Sequence, residues 1–245
     1  MITVTILTKN SEKYLKEVLE SLIDFDDVLI LDSGSTDSTL ELAAGFKNVT
    51  IHKRASFDGF GFMHNLASSL AKNEWIFSLD SDEVPTQELL QELKEISLDT
   101  KSVYFMPRKN YYQGKWIRGC GWYPDHVCRI YHRQKTQFSD AMVHESVQRE
   151  NMNEVYLKGP IKHYSYDSTE EFLHKMQVYS ELFATQYAGK RSSSLSKAIT
   201  RAAFTFFKSY FLQKGFLDGQ EGFVISVYNA NTTFYKYLKL KEKST

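Results

Sequence analysis

Trp75-Ile76-Phe77-Ser78-Leu79-Asp80-Ser81-Asp82-Glu83 carries an apolar, strand-like run into two carboxylates one residue apart. On an extended backbone residues i and i+2 point to the same face, so this spacing brings Asp80 and Asp82 onto one side of the chain. Oxygen ligands of this kind suit a hard cation, Mg²⁺ or Mn²⁺, and the most useful task for such an ion is to hold a diphosphate. A lone Asp-x-Asp is also an ordinary acidic turn after a strand. The flanking stretches decide between the two.

Working outward, strand and helix signals alternate through the first hundred residues. Ile2–Leu7 reads as a buried strand, and Asn10-Ser11 as a helix N-cap followed by Tyr14, Leu15, Val18, Leu19 and Leu22 at helical spacing. Asp27–Leu31 is a second strand, and Asp32-Ser33-Gly34-Ser35-Thr36-Asp37 a turn that opens a helix to about Ala44. Asn48–His52 is a third strand, Phe57–Phe62 a loop, Met63–Ala71 a helix, Glu74–Leu79 a fourth strand and Thr86–Ile96 an amphipathic helix. Repeated βα units of this length predict an α/β fold with a mostly parallel, Rossmann-like sheet and helices on both faces. Ligands of such sheets bind beyond the carboxyl ends of the strands. Thr8-Lys9-Asn10, Asp32–Asp37 and Asp80–Glu83 all fall there.

After residue 100 the pattern changes. Ser102–Met106, Val127–Arg133 and Val143–Val147 read as strands, Asn110–Asp125 as an aromatic loop, and the chain from about Thr169 as helices around a Lys190–Ser194 linker. The expected organisation is a catalytic domain over 1–167, with a nucleotide-binding half 1–100 and an acceptor half 101–167, then a helical extension over 168–245. Charge divides in the same way. Residues 1–100 hold 8 Lys/Arg against 18 Asp/Glu, and residues 101–245 hold 22 against 12, so a net of −10 faces a net of +10 within a neutral chain. That asymmetry suits an acidic metal-binding half and a basic half facing an anionic partner. Cys120 and Cys128 are too few for a disulfide framework and match no zinc spacing. The start of the chain has no signal-peptide character, and no apolar run approaches the ~18 residues that cross a bilayer. A cytoplasmic protein is expected.

These residues together resemble bacterial family 2 glycosyltransferases, inverting enzymes with the A-type nucleotide-sugar fold. More narrowly, the chain resembles the subgroup that glucosylates the lipopolysaccharide inner core. The resemblance rests on Thr8-Lys9-Asn10, Asp32–Asp37, Gly59-Phe60-Gly61 with Asn65, and Leu79–Glu83. It continues through Trp116–Gly119, Gly121–Asp125, Val143-His144-Glu145, His163–Tyr166 and Gly215–Phe223. It implies that Thr8, Asn10, Asp32, Ser33, Gly34, His64, Asn65, Asp80 and Ser81 meet a nucleotide sugar, usually a UDP-hexose such as UDP-glucose. It also implies that Asp80 and Asp82, with His144 as a further contact, hold Mg²⁺ or Mn²⁺. His64 stands where the subgroup usually has Lys or Arg, which makes that donor contact weaker or dependent on pH near neutrality.

Inverting transfer needs a carboxylate to take the acceptor proton. Glu145 and Asp125 are the candidates, with Glu145 favoured. Arg118, Arg129 and Arg133 lie nearby in sequence as ion-pair partners for either. Trp116, Arg118, Trp122 and Tyr123 suit an anionic glycan acceptor, rings stacking on sugar and cations gripping acid groups; Arg108, Lys109 and Lys115 add to the cations. Between Leu182 and Leu217 the chain has no acidic residue and six basic ones. On a helix Lys197, Arg201 and Lys208 share a face, while Ile199, Ala203, Phe206 and Tyr210 share another, widened by Phe204, Phe207, Phe211 and Phe216. A helix over 195–216 lying on an anionic membrane surface is expected, and nucleic acid is not. The expected enzyme moves a hexose onto a lipid-linked glycan at the inner face of the plasma membrane. A sugar nucleotidyltransferase and a non-catalytic membrane-associated glycan-binding protein are the alternatives. The first lacks the expected Gly-rich, cation-bearing loop after its first strand, and an intact Asp-x-Asp weighs against the second.

Overall fold

The computed structural model describes residues 1–139 and 145–243. By compactness the chain divides into two units, one of residues 1–108 and 125–163, the other of residues 109–124 and 164–245. The aromatic segment 109–124 therefore groups with the C-terminal helices.

The first unit follows the βα alternation. Its elements begin with β1 (Ile2–Thr8), α1 (Glu12–Ser21), β2 (Val28–Asp32), α2 (Thr39–Ala44), β3 (Val49–Lys53), α3 (Phe60–Leu70) and β4 (Trp75–Asp80). Then come β5 (Glu83–Pro85), α4 (Gln87–Glu95) and β6, which starts at Ser102 and runs to Tyr112. β1 pairs in parallel with both β2 and β4, and β2 with β3. Strand β2 is buried along its whole length, as a parallel strand covered on both faces must be. Leu15, Val18 and Leu19 of α1 are buried at helical spacing. Each such side chain contributes about 1.5–3 kcal/mol by leaving water.

Two boundaries differ from the sequence reading in ways that matter for the site. Helix α3 starts at Phe60, because Gly59 takes φ +102° and turns the chain into the helix early, so part of the expected loop is helical. Strand β4 ends at Asp80, and Ser81-Asp82 form a turn. The extended-backbone argument for Asp80 and Asp82 therefore does not hold, because Asp82 lies in the turn after the strand.

The later strands are antiparallel additions. β8 (Asp125–His132) pairs with β4 and with residues 104–108 of β6. β9 (Asn153–Tyr156) runs parallel to the start of β6, and the first half of β10 (Ile161–Tyr166) pairs with β5, His163 opposite Glu83. Of the expected strand Val143–Val147, only the end is described, where Val147 bridges Phe138.

In the second unit the end of β6 pairs with β7 (Lys115–Trp116). Helices α5 (Thr169–Tyr187), α6 (Leu195–Phe207) and α7 (Gly219–Lys243) follow. Its core joins Tyr112, Ile117, Cys120, Phe172 and Ile225, with Trp122, Tyr166 and Tyr228 packed against them. Among the described residues no helix is long and apolar enough to cross a membrane.

Candidate active site

The parallel register sets the rim of the first unit. Thr8 lies opposite Asp32, and Leu7 opposite Asp80, so three strands end at one level. Asp32 is buried and its two oxygens are fully engaged. Oδ1 accepts from the Thr8 hydroxyl at 3.0 Å and from the Ser35 hydroxyl, and Oδ2 accepts from the Gly34 and Ser35 amides, both at 2.9 Å. A carboxylate has about four acceptor sites, so its capacity is filled. Burial opposes its charge, but these four donors outweigh burial and hold the carboxyl below its ordinary range. Asp32 thus shapes the loop that follows β2. Asn10, in a left-handed conformation at φ +52°, accepts from the Thr36 amide at 2.8 Å and donates its own amide to Ser35 at 2.9 Å. The Ser33 hydroxyl donates to the Thr8 carbonyl at 3.2 Å. The Ser81 hydroxyl bonds Ser11 at 2.8 Å, which ties the turn after β4 to the loop after β1.

A charge network that the sequence did not reveal lies behind Asp80. Arg129 on β8 donates through Nη2 to Asp80 Oδ2 and to Glu83 Oε1, the latter at 2.5 Å. Arg108 on β6 reaches Glu83 Oε1 at 3.0 Å and Asp125 Oδ2 at 2.8 Å. Glu83 is 0% exposed, and the Asp80 amide donates to its other oxygen at 3.2 Å. Burial disfavours the Asp80 anion, yet Arg129, then His64 and His163, more than offset this and hold its carboxyl well below the usual range. Burial pushes Glu83 up; Arg129 opposes this and the Asp80 charge adds to it. Asp82 faces His163 Nε2 at 3.6 Å. The only signal for this network in the sequence was the Glu following Asp-x-Asp. Arg129 looked like a partner for the base, and instead pairs with Asp80 and Glu83. Arg133, viewed in the same way, donates to the Ser68 and Ala71 carbonyls at 2.7 and 2.8 Å and caps the end of α3.

Several predicted residues prove to have other surroundings. His64 is buried, bonded through Nδ1 to Ser78 at 3.1 Å and stacked on Phe138 at 4.3 Å. Burial, reinforced by Arg129 and only partly countered by Asp80, lowers its pKa to about 4. The imidazole is therefore neutral near pH 7, which removes the expected pH-sensitive cation contact. Asn65 grips the Phe138 backbone, donating to its carbonyl at 3.0 Å and accepting from its amide at 2.8 Å. Glu145 is half-buried. His144 lies outside the described residues. Asp125 is held by Arg108 through Nε at 2.9 Å as well as Nη2.

In the second unit Trp116 has Arg118 4.3 Å and Lys109 4.8 Å from its ring centre, with Tyr123 edge-on at 5.3 Å. Trp122 is half-buried, stacks on Tyr166 at 5.6 Å and packs against the aromatic cluster. Tyr123 and Arg118 remain exposed. Lys115 is tied to Glu221 at 2.7 Å and to the Asp218 carbonyl at 2.6 Å.

A parallel sheet whose strand ends gather Thr8, Asp32 and Asp80, extended by antiparallel strands, defines the A-type fold of nucleotide-sugar-dependent transferases. Residues 3–157 match the family model described as glycosyl transferase family 2, and the chain belongs to that family. It is a glycosyltransferase. It is 29% identical to the uncharacterized glycosyltransferase RT0209 of Rickettsia typhi, over 99% of this chain and 87% of that one. It is 26% identical to the lipopolysaccharide core biosynthesis glycosyltransferase LpsC of Rhizobium meliloti, over 97% and 91%. Among solved structures, S. aureus TarS 1–349 in complex with UDP superposes with a TM-score of 0.50 at 20% identity, covering 99% of this chain and 88% of that one.

Proposed function

We propose that the chain transfers a hexose, glucose from UDP-glucose, with inversion onto a lipid-linked glycan, the inner core of a lipopolysaccharide. The observation that carries this reading is the rim itself: three strand-end loops, cross-bonded through Thr8–Asp32, Asn10–Thr36 and Ser11–Ser81, in a family 2 chain. The likeness to a lipopolysaccharide core enzyme over nearly the whole length supports the acceptor class.

Asp80 and Asp82 would hold Mg²⁺ or Mn²⁺. Their side chains are 39% and 36% exposed, and among the described residues no group of three or more His, Cys, Asp or Glu is arranged so that it could hold a metal ion. Two carboxylates fit a cation that takes its remaining ligands from water and substrate phosphates. Such an ion neutralises charge on a departing nucleoside diphosphate. The protein's own part is defined by its loops. Asn10, Ser33 and the Gly34 turn position the nucleoside, with Asp32 holding the turn in shape. Arg129 fixes the Asp80 carboxylate in one orientation. Glu145 takes the proton from the acceptor hydroxyl as its oxygen attacks the anomeric carbon from the face opposite the diphosphate. Asp125, already held by Arg108, is the second choice for base.

The same reading places the protein on the inner face of the plasma membrane through residues 195–216. Leu195, Ile199, Phe204, Phe207 and Phe211 are exposed along α6 and the π-helical turn Lys208–Leu212 that follows it. Of the basic residues, Lys197 is half-buried over Tyr237 of α7 at 5.6 Å, while Arg201, 5.9 Å from the same ring, Lys208 and Lys214 are exposed.

Purified protein with Mn²⁺ or Mg²⁺ and a panel of nucleotide sugars should release nucleoside diphosphate slowly from UDP-glucose, and faster with lipopolysaccharide inner core as acceptor. Asp82→Ala should abolish both rates, and Glu145→Gln should lower transfer about 10²–10⁴-fold. Faster turnover of another nucleotide sugar would overturn the donor, and unchanged transfer by both Glu145→Gln and Asp125→Asn would overturn the assignment of the base.

A further inference from the structure

The second unit contains a groove of about 540 Å³ between the loop Arg118–Tyr123 and the turn Leu212–Asp218. Arg118 and Lys214 supply two cations to its walls, Tyr123 an aromatic face, and Leu212 and Leu217 an apolar lip that is 61% and 70% exposed. Phe211 and Phe216, next to those leucines in sequence, are exposed as well.

The groove is a built feature. Asp218 at its base is buried, and its carboxylate accepts from the Gly119 amide at 2.6 Å and the Arg118 amide at 3.2 Å. The Cys120 amide donates to the Gln213 carbonyl at 2.9 Å. A Cβ on Gly119 would meet the Lys214 carbonyl oxygen at 2.6 Å, so the two walls approach as closely as glycine permits. Cys120 and Lys214 both hold a left-handed backbone at φ +57°, a cost that a non-glycine residue bears only where its surroundings impose it. The Arg118 guanidinium is oriented over Trp116. Among the described residues neither Arg118 nor Lys214 has a carboxylate partner. Asp218, with its oxygens already on amides, is the one acid of the walls, so the groove is net cationic.

We infer that this groove seats the phosphate-bearing headgroup of a membrane lipid, with Arg118 and Lys214 as its counter-ions, Tyr123 against the adjoining polar group, and Leu212 and Leu217 in the apolar layer. The inference deepens the proposed function and rests on its membrane-borne acceptor. Cations inside a pocket whose outer lip is apolar match a ligand that carries charge and hydrocarbon on one molecule. A free phosphate has no use for the lip, and a neutral lipid has none for the cations.

The test is co-sedimentation of the full chain with phosphatidylcholine vesicles containing either phosphatidate or phosphatidylglycerol, adjusted to equal surface potential. Diffuse attraction treats the two alike, whereas a headgroup site prefers the exposed phosphate monoester. Wild type should favour phosphatidate by about fivefold or more, the worth of one basic contact. The preference should vanish in Lys214→Asn, which tolerates the left-handed backbone, and in Arg118→Gln. It should persist in Lys214→Arg and in the exposed Lys190→Gln outside the groove. Equal binding of both vesicles by wild type, or an undiminished preference in Lys214→Asn, overturns the site. Displacement from phosphatidate vesicles by millimolar glucose 6-phosphate overturns the lipid as its source. Slow nucleoside diphosphate release from donor alone does not depend on the groove, so its absence in wild type would instead count against the proposed function.

Discussion

His64 shows how one residue's surroundings change its chemistry. Its ring lies between Ser78 and Phe138, and burial lowers its pKa from 6.5 to about 4. The folded state therefore resists a proton that the unfolded chain accepts below pH 6.5. The sign follows directly: the stability linked to His64 is complete above pH 6.5 and declines as pH falls toward 4. Between pH 7 and pH 5 the loss is about 2 kcal/mol at 1.36 kcal/mol per pH unit. Urea midpoints at both pH values should show wild type losing about that much more than His64→Gln; parallel losses would mean that the ring is already solvated. Arg129 carries a larger load. It joins Asp80 to Glu83, and removing it leaves the fully buried Glu83 with Arg108 alone as counter-ion. Arg129→Met should cost about 3–5 kcal/mol in urea unfolding. Glu83→Gln in the Arg129→Met background should recover part of that, because the buried carboxylate that keeps only one of its two guanidinium partners is gone.

At the scale of elements, the segment Gly215–Phe223 is a clasp in which Gly215 and Gly222 are fixed by contact. A Cβ on Gly222 at the start of α7 would lie 1.9 Å from the Gly215 carbonyl oxygen, and no flexible side chain is there to move. Gly222→Ala should cost about 1–3 kcal/mol and broaden the thermal transition of the helical unit, while Gln220→Ala, exposed on the same helix, should be neutral within ~0.5 kcal/mol in the same circular-dichroism melt. The elements themselves were largely legible. Strands β1 to β4 and helices α1 and α4 follow from runs and periodicity, since each buries a face that its own residues announce. What periodicity misses is pairing at a distance. The end of β6 was read as loop because Asn110–Tyr112 offer no alternation, yet Asn110 donates to the Trp122 carbonyl at 3.1 Å and accepts from the Ser165 hydroxyl at 3.0 Å. The candidate site was legible in its carboxylates and its loops. Its electrostatics were not, because Arg129 reaches Asp80 across 49 residues and Arg108 reaches Glu83 across 25. Local sequence likewise gave no warning that Trp122 packs against a core.

Across the whole molecule, the charge difference read from the sequence, −10 over residues 1–100 and +10 over residues 101–245, suits different ligands for different parts of one chain. The strand-end loops after β1, β2 and β4 belong to the first unit, and the exposed apolar stripe from Leu195 to Leu217 belongs to the second. If the nucleotide meets only the first set and the lipid only the second, each ligand should slow amide exchange where it binds, since a ligand stabilises the states that bind it. UDP with Mn²⁺ should protect peptides covering residues 8–12, 32–39 and 80–83 and leave 195–217 unchanged. Phosphatidate-containing vesicles should do the reverse. Asp82→Ala should erase the first pattern and keep the second, because it removes a proposed ligand of the cation and nothing from α6. Protection of residues 195–217 by UDP with Mn²⁺ alone would show that the stripe answers to the donor, and the division of labour drawn from the charge pattern would then be wrong. Hydrogen exchange read by mass spectrometry separates these outcomes peptide by peptide.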